Sequence, residues 1–203
     1  EDVAKKIAAE FELMKHDPEN PEVIAAYQAM IDETKEQYKD ILDTGLEVQF
    51  IKGDDPYGNP RNVILDVINN NHMWVFSTRD GFGSNAEMDT SDNPLLQETE
   101  FVTADGDPML ANDLFRVVHD YFGHIKNGVG FRARGEENAW QAHVRMYSPL
   151  AAKAMTTETR GQNSWVNYSD AVGEQNRNSK NKAEETQYAE QKVTILSDFV
   201  MED

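Results

Sequence analysis

Three of the chain's five histidines, His119, His124 and His143, cluster in its second half. There is no cysteine, so imidazole and carboxylate are the strong metal ligands available and any bound metal has N/O ligation. His119 and His124 interrupt a stretch that is apolar on nearly every side, built from Leu114, Phe115, Val117, Val118, Tyr121 and Phe122. Ring nitrogens in such surroundings must be satisfied, and one metal ion can do that for two histidines together. The alternative is a pair of core histidines hydrogen-bonded to backbone or to Asp120. A spacing of five is about 140° around an ideal helix, so both rings reach one ion only where the helix distorts or ends. Gly123, between them, supplies that freedom. The spacing of four that zinc proteases use is absent.

A third ligand must come from a carboxylate, and Glu136 and Glu137 are the nearest after the Gly128-Val129-Gly130 turn. On a helix, Glu136, Trp140, His143 and Tyr147 share one face, so Glu136 and His143 can bind one ion together or form a carboxylate–histidine support. Glu137 lies about 100° away, and whichever glutamate faces inward, the other is expected in solvent. Glu136 is slightly preferred, and the alternative is that both are ordinary first-turn acids favoured by the helix dipole.

The run His119-Asp120-Tyr121-Phe122-Gly123-His124 resembles the iron-binding helix of the aromatic amino-acid hydroxylases, in which both histidines are ligands. The resemblance covers these six residues. It implies Fe(II) on His119 and His124, Asp120 orienting them, and a later glutamate completing a two-histidine, one-carboxylate face. Residues 119–165 also look loosely like uncharacterised proteins of bacteriophage and marine-virus genomes, which implies a viral context without an activity.

A second polar cluster spans residues 156–168 and ends in Trp165 and Tyr168. It reads either as the wall of a substrate pocket, with Arg160 gripping a carboxylate or phosphate, or as a capped loop in which Arg160 pairs with a surface acid. Asp120 and Arg160 are the candidate catalytic side chains beside the ligands, and Glu158 is a spare ligand or base.

The elements that must position these residues read as one α+β domain over residues 1–203, mainly helical with a small sheet. Residues 1–45 form two helices, the second capped by Asn20, with Pro21 at its first position and Gly45 past its end. Residues 46–108 hold strands at 46–51 and 72–77, an ambiguous segment at 63–68, and a polar stretch from Arg79 to Pro108 that is a candidate lid or carries small elements of its own. Residues 109–203 form the helical half with the metal site: a helix capped by Asn112 that runs to about Ile125, another at 135–147, a start after Pro149, an irregular stretch at 156–181, and a last helix at 183–199 that packs back on the core.

With 39% hydrophobic residues among 203, the chain can bury a core, and its net charge of −18 disfavours nucleic acid and anionic membranes as partners. The acidic start is unlike a signal peptide, so a cytoplasmic protein is expected, in the host cytoplasm if viral. The chain begins at Glu1 rather than methionine, which points to a trimmed start. The sequence therefore predicts a metal-dependent enzyme acting on a small molecule, most naturally a non-haem Fe(II) oxygenase. Rivals are a zinc hydrolase with Glu136, Glu137 or Glu158 as base, and a non-catalytic viral structural or binding protein. An organic second cofactor and a homo-oligomer stay open, and Arg132, Arg134, Arg145 and Arg160 are the cations that an anionic substrate would use.

Overall fold

Asn20 accepts a hydrogen bond from Glu22 N at 3.0 Å, and with Pro21 in the first turn it starts α2 (Pro21–Asp43) as the sequence predicts. Gly45, at φ 84°, ends it. The buried stripe of α2 runs through Val23, Tyr27, Met30, Ile31, Tyr38 and Ile41, and two polar residues, Thr34 and Gln37, lie buried in the same stripe. The structure, a computed structural model, describes residues 1–82, 89–178 and 186–202. Among these the chain is mainly helical, with two sheets of two strands each.

Ahead of α2 lies α1 (Asp2–Leu13). After it, β1 (Glu47–Phe50) pairs in parallel with β2 (His72–Val75), and a parallel pair needs a crossover. That crossover is α3 (Pro60–Asn70), capped by Asn59 and ended by Asn71 at φ 50°, so the ambiguous segment at 63–68 is helix. The polar stretch beyond carries small elements, namely α4 (Thr78–Phe82), a 3-10 turn Pro94–Leu96 and β3 (Glu98–Val102), which pairs antiparallel with β4 (Pro108–Leu110). Part of the expected lid, residues 83–88, lies outside the described residues.

Helix α5 (Ala111–Val118) begins two residues earlier than expected, and Asn112 is not its cap. Asp113 takes that role: its buried carboxylate accepts from Leu110 N at 2.8 Å, and from Thr78 N and Oγ1 at 2.8 and 2.7 Å, tying α5 to α4. The chain then continues as a π-helical turn, His119–Ile125, before α6 (Ala133–Val144) and α7 (Pro149–Thr156). The central core joins α2, α5, α6 and α7 through Tyr27, Met30, Leu114, Val117, Trp140 and Met155. Each such large apolar side chain stabilises the fold by about 1.5–3 kcal/mol, which anchors the helix that leads into the histidines.

Two expectations for the C-terminal part fail. Residues 156–168 are helical, as a second π-helical turn Thr157–Gly161 followed by α8 (Gln162–Tyr168), and α9 (Gly173–Asn176) follows. The polar side chains that argued against helix bond back within it: Thr157 and Thr159 Oγ1 donate to the carbonyls of Lys153 and Met155, and Asn167 Nδ2 to that of Asn163. The predicted last helix is also absent: residues 183–185 lie outside the described residues, 186–197 are non-helical, and only Asp198–Met201 forms a 3-10 turn. This segment packs back in irregular form, with Val193 N donating to His16 Nδ1 at 3.0 Å and Leu196 and Val200 buried against Ile7 and Phe11 of α1. Tyr188, expected on the buried side, is 70% exposed. No helix among the described residues is long and apolar enough to cross a membrane.

Candidate metal centre

The five-residue spacing is resolved by the π-helical turn. Hydrogen bonds from Lys126 N to Tyr121 O at 3.0 Å and from Val129 N to His124 O at 3.1 Å span five residues, so side chains five apart stack on nearly one face. Gly123 contributes through space rather than unusual dihedrals, because a Cβ there would meet Ala139 Cβ at 3.1 Å and Ala139 O at 3.2 Å. Its absence lets the turn lie directly on α6, which presents Glu136.

His119, His124 and Glu136 each offer a ligand atom, all within 4.8 Å of one another. Glu136 Oε2 lies 3.2 Å from His124 Nε2 and 3.8 Å from His119 Nε2. Two ligands of one tetrahedral ion at about 2.1 Å stand roughly 3.4 Å apart, so the three atoms are spaced for a shared cation.

The hydrogen-bond chain behind the histidines fixes which nitrogens carry protons. Gln37 Nε2 donates to Met146 O at 3.2 Å, which turns Gln37 Oε1 toward His143 Nε2 at 2.7 Å. A carbonyl oxygen only accepts, so His143 holds its proton on Nε2 and its Nδ1 is an acceptor. Burial, reinforced by the charges of His119 and His124, pushes the His143 pKa well below its ordinary value, which keeps the ring neutral. His119 Nδ1, 3.0 Å from His143 Nδ1, must therefore be the donor, leaving its Nε2 as a bare lone pair. On the other side, His124 Nδ1 donates to Gly130 O at 3.0 Å, leaving Nε2 of the neutral ring as its second lone pair. Two imidazole lone pairs and a carboxylate thus converge. His119 Nε2 is fully buried and has no hydrogen-bond partner, an arrangement that costs about 1–3 kcal/mol when nothing fills it.

The electrostatics match. Burial alone would raise the Glu136 pKa, but the two imidazoles outweigh it and bring it down to about 2, so the ligand oxygen is charged. For His124, burial disfavours the charged ring, yet the hydrogen bond and charge of Glu136 shift it net upward. A proton can serve His124 and Glu136 in this way, whereas His119 Nε2 stands 3.8 Å from Glu136 Oε2, beyond hydrogen-bond reach. Asp120 is driven up by burial, against the pull of His119 and His124, and makes no hydrogen bond among the described residues. Aromatic rings dry the site: Phe131 stacks on His124 at 4.1 Å and Phe115 on His119 at 5.8 Å.

The remaining sequence candidates fall elsewhere. His143 supports His119 and lies outside the group of three. Glu137 turns away from the histidines with its side chain 37% exposed, as expected, and Arg160 holds it there in a two-point ion pair, Nη2 to Oε1 at 2.7 Å and Nε to Oε2 at 3.2 Å. Arg160 is buried, lies over Trp140 at 4.1 Å, and also donates to Val200 O and Glu202 O. Glu158 accepts from Tyr27 OH at 2.5 Å and from Gln162 and Gln191. Three contributors escaped the sequence reading: Gln37, Gly130 and Asn163, whose Nδ2 donates to Glu136 Oε2 at 3.2 Å. Only Gln37 left a usable signal, a polar residue spaced on the apolar stripe of a long helix.

Comparisons with protein-family models, with curated proteins and with solved structures find no match to this chain.

Proposed function

We propose that His119, His124 and Glu136 hold one divalent cation and that the protein is a metal-dependent enzyme acting on a small molecule, with Fe(II) the favoured metal. The observation that carries this reading is the convergence of two imidazole Nε2 atoms on one carboxylate, with the His119 Nε2 buried without a hydrogen-bond partner. Three protein ligands leave further coordination positions free, and a bound Fe(II) would supply oxygen activation there. The chain's own contribution is positional. Gln37 and His143 fix the His119 tautomer, Gly130 fixes that of His124, and Asn163 holds the Glu136 carboxylate.

The zinc-hydrolase reading needs a carboxylate free to act as base. Glu136 is assigned as a ligand, Glu137 is engaged by Arg160 and Glu158 by Tyr27, which leaves that role to Asp120, whose carboxylate makes no hydrogen bond among the described residues. The test compares chain loaded anaerobically with Fe(II) to chain loaded with Zn(II). Oxygen uptake that requires Fe(II), responds to added carboxylated or phosphorylated small molecules and vanishes in Glu136→Ala supports the proposal. Ester or phosphoester hydrolysis by the Zn(II) form, with no oxygen uptake by the Fe(II) form, overturns the iron assignment.

A further inference from the structure

Arg132 and Arg134 stand where a helix least favours cations. Arg132 is the N-cap of α6, with no side-chain cap bond, and Arg134 lies in its first turn. The free N–H groups there already amount to about half a positive charge, and an added cation costs roughly 0.3–1 kcal/mol instead of stabilising. The usual remedy, a first-turn acid, is unavailable to them: Glu136 is turned onto the histidines and Glu137 is held by Arg160. Both arginines are exposed, and neither guanidinium makes a hydrogen bond or ion pair among the described residues, although the chain carries 37 acidic side chains. Arg145, equally exposed, sits at the C-terminal end of the same helix, where the dipole favours it.

The two arginines face a space that a ligand could fill. They line a cavity of about 650 Å³, within the usual range for small-molecule sites. A third cation, Arg177, lies on the same wall, held by Asn167 O and over the Tyr168 ring. Among the described residues that line it, Glu136 is the one carboxylate, and it is already paired with imidazole. Three arginines to one neutralised acid is the reverse of a chain whose net charge is −18. Asn163 and Glu136 lie on this wall too, so the cavity adjoins the candidate centre.

We propose that this cleft takes a small molecule by an oxyanion head, a carboxylate or phosphate, gripped by Arg132 and Arg134 over the first turn of α6, with the rest of the molecule directed at Glu136. Guanidinium forks match both head groups in two-point geometry, and the first-turn N–H groups add to the same field. The net negative charge of the whole chain repels extended polyanions, so the ligand is a small molecule rather than nucleic acid. As a statement of substrate class this rests on the metal-site reading, but the anion grip needs no metal.

The experiment therefore has two arms. Inorganic phosphate and succinate are titrated separately into the full, metal-free chain by calorimetry, and Zn(II) affinity is measured in anion-free buffer. Wild type, Arg132→Ala/Arg134→Ala, Arg132→Lys/Arg134→Lys and Arg145→Ala are compared. Wild type should bind one or both anions at about 0.1–1 mM, with the preferred probe identifying the head group. The double alanine variant should weaken binding at least roughly tenfold, the lysine variant less, and Arg145→Ala should match wild type. Zn(II) affinity should be unchanged throughout. Failure of wild type to bind either anion, or equal binding by the double alanine variant, overturns the anion grip. Loss of Zn(II) binding in wild type with intact anion binding overturns the metal reading instead.

Discussion

Among the described residues are two π-helical turns, His119–Ile125 and Thr157–Gly161, and they end up with opposite chemistry. In the second, every fully buried polar side-chain atom has a partner. Thr157 and Thr159 bond back to carbonyls, Arg160 is held by Glu137 and two carbonyls, and Glu158 by Tyr27, Gln162 and Gln191. In the first, the same winding brings two imidazoles to one face and leaves His119 Nε2 unpartnered. Helix α6 lies between them and serves both with adjacent residues, Glu136 turned to the first and Glu137 to the second. A wide turn is thus not itself the mark of a site; a left-over acceptor that converges with a second imidazole and a carboxylate is.

That contrast can be broken most forcefully at Gly135. A Cβ there would sit 1.7 Å from Gly130 O, the atom that orients His124. Gly135→Ala should displace this turn and weaken divalent-metal binding by about 100-fold or more, near 3 kcal/mol, while far-UV circular dichroism stays close to wild type. Unchanged affinity in calorimetry would remove Gly130 from the account.

On the other turn, the expected effect is on stability and its pH dependence. Burial drives the Glu158 pKa up to about 7 from an ordinary 4.5, so the folded state favours the protonated form. Its contribution is harmless below about pH 4.5 and destabilises progressively as the pH rises toward 7, by at most about 3 kcal/mol. Glu158→Gln should flatten this part of a denaturant-midpoint profile and leave metal affinity alone. A slope that survives the substitution would show that another group causes it.

Smaller again, Gln37→Ala should cost metal affinity about 10–100-fold, because His143 would lose the acceptor that sets its tautomer. If binding is unaltered, the relay from α2 is structural only. The smallest change is Thr159→Val, which removes one buried hydroxyl bond and should lower stability by about 1 kcal/mol with no effect on metal. A metal effect here would mean the two turns are coupled through α6.

How much of this the sequence disclosed depended on the range of the interaction. The spacing of His119 and His124 around Gly123 already demanded a distorted helix, and the shared face of Glu136, Trp140 and His143 already favoured Glu136. These are local facts, within a few turns of one helix. Asn20 with Pro21 likewise marked the start of α2 through short-range capping. What stayed hidden was set by distant partners. Gln37 meets His143 across 106 residues, and Arg160 chooses Glu137 only because α6 and the second π-helical turn pack together. The misread stretches share a cause too. Thr and Asn in residues 156–168 looked like loop formers but satisfy themselves on their own helix, whereas the apparent helical stripe gives way, over 186–197, to irregular packing on α1.

The most direct test is the metal content of chain purified without chelator, alongside the His119→Ala/His124→Ala variant with its fold checked by circular dichroism. The account predicts about one divalent ion per wild-type chain, with iron or zinc recovered on reloading, and none in the variant. Folded wild type that carries no metal and binds neither added Fe(II) nor Zn(II) would contradict it.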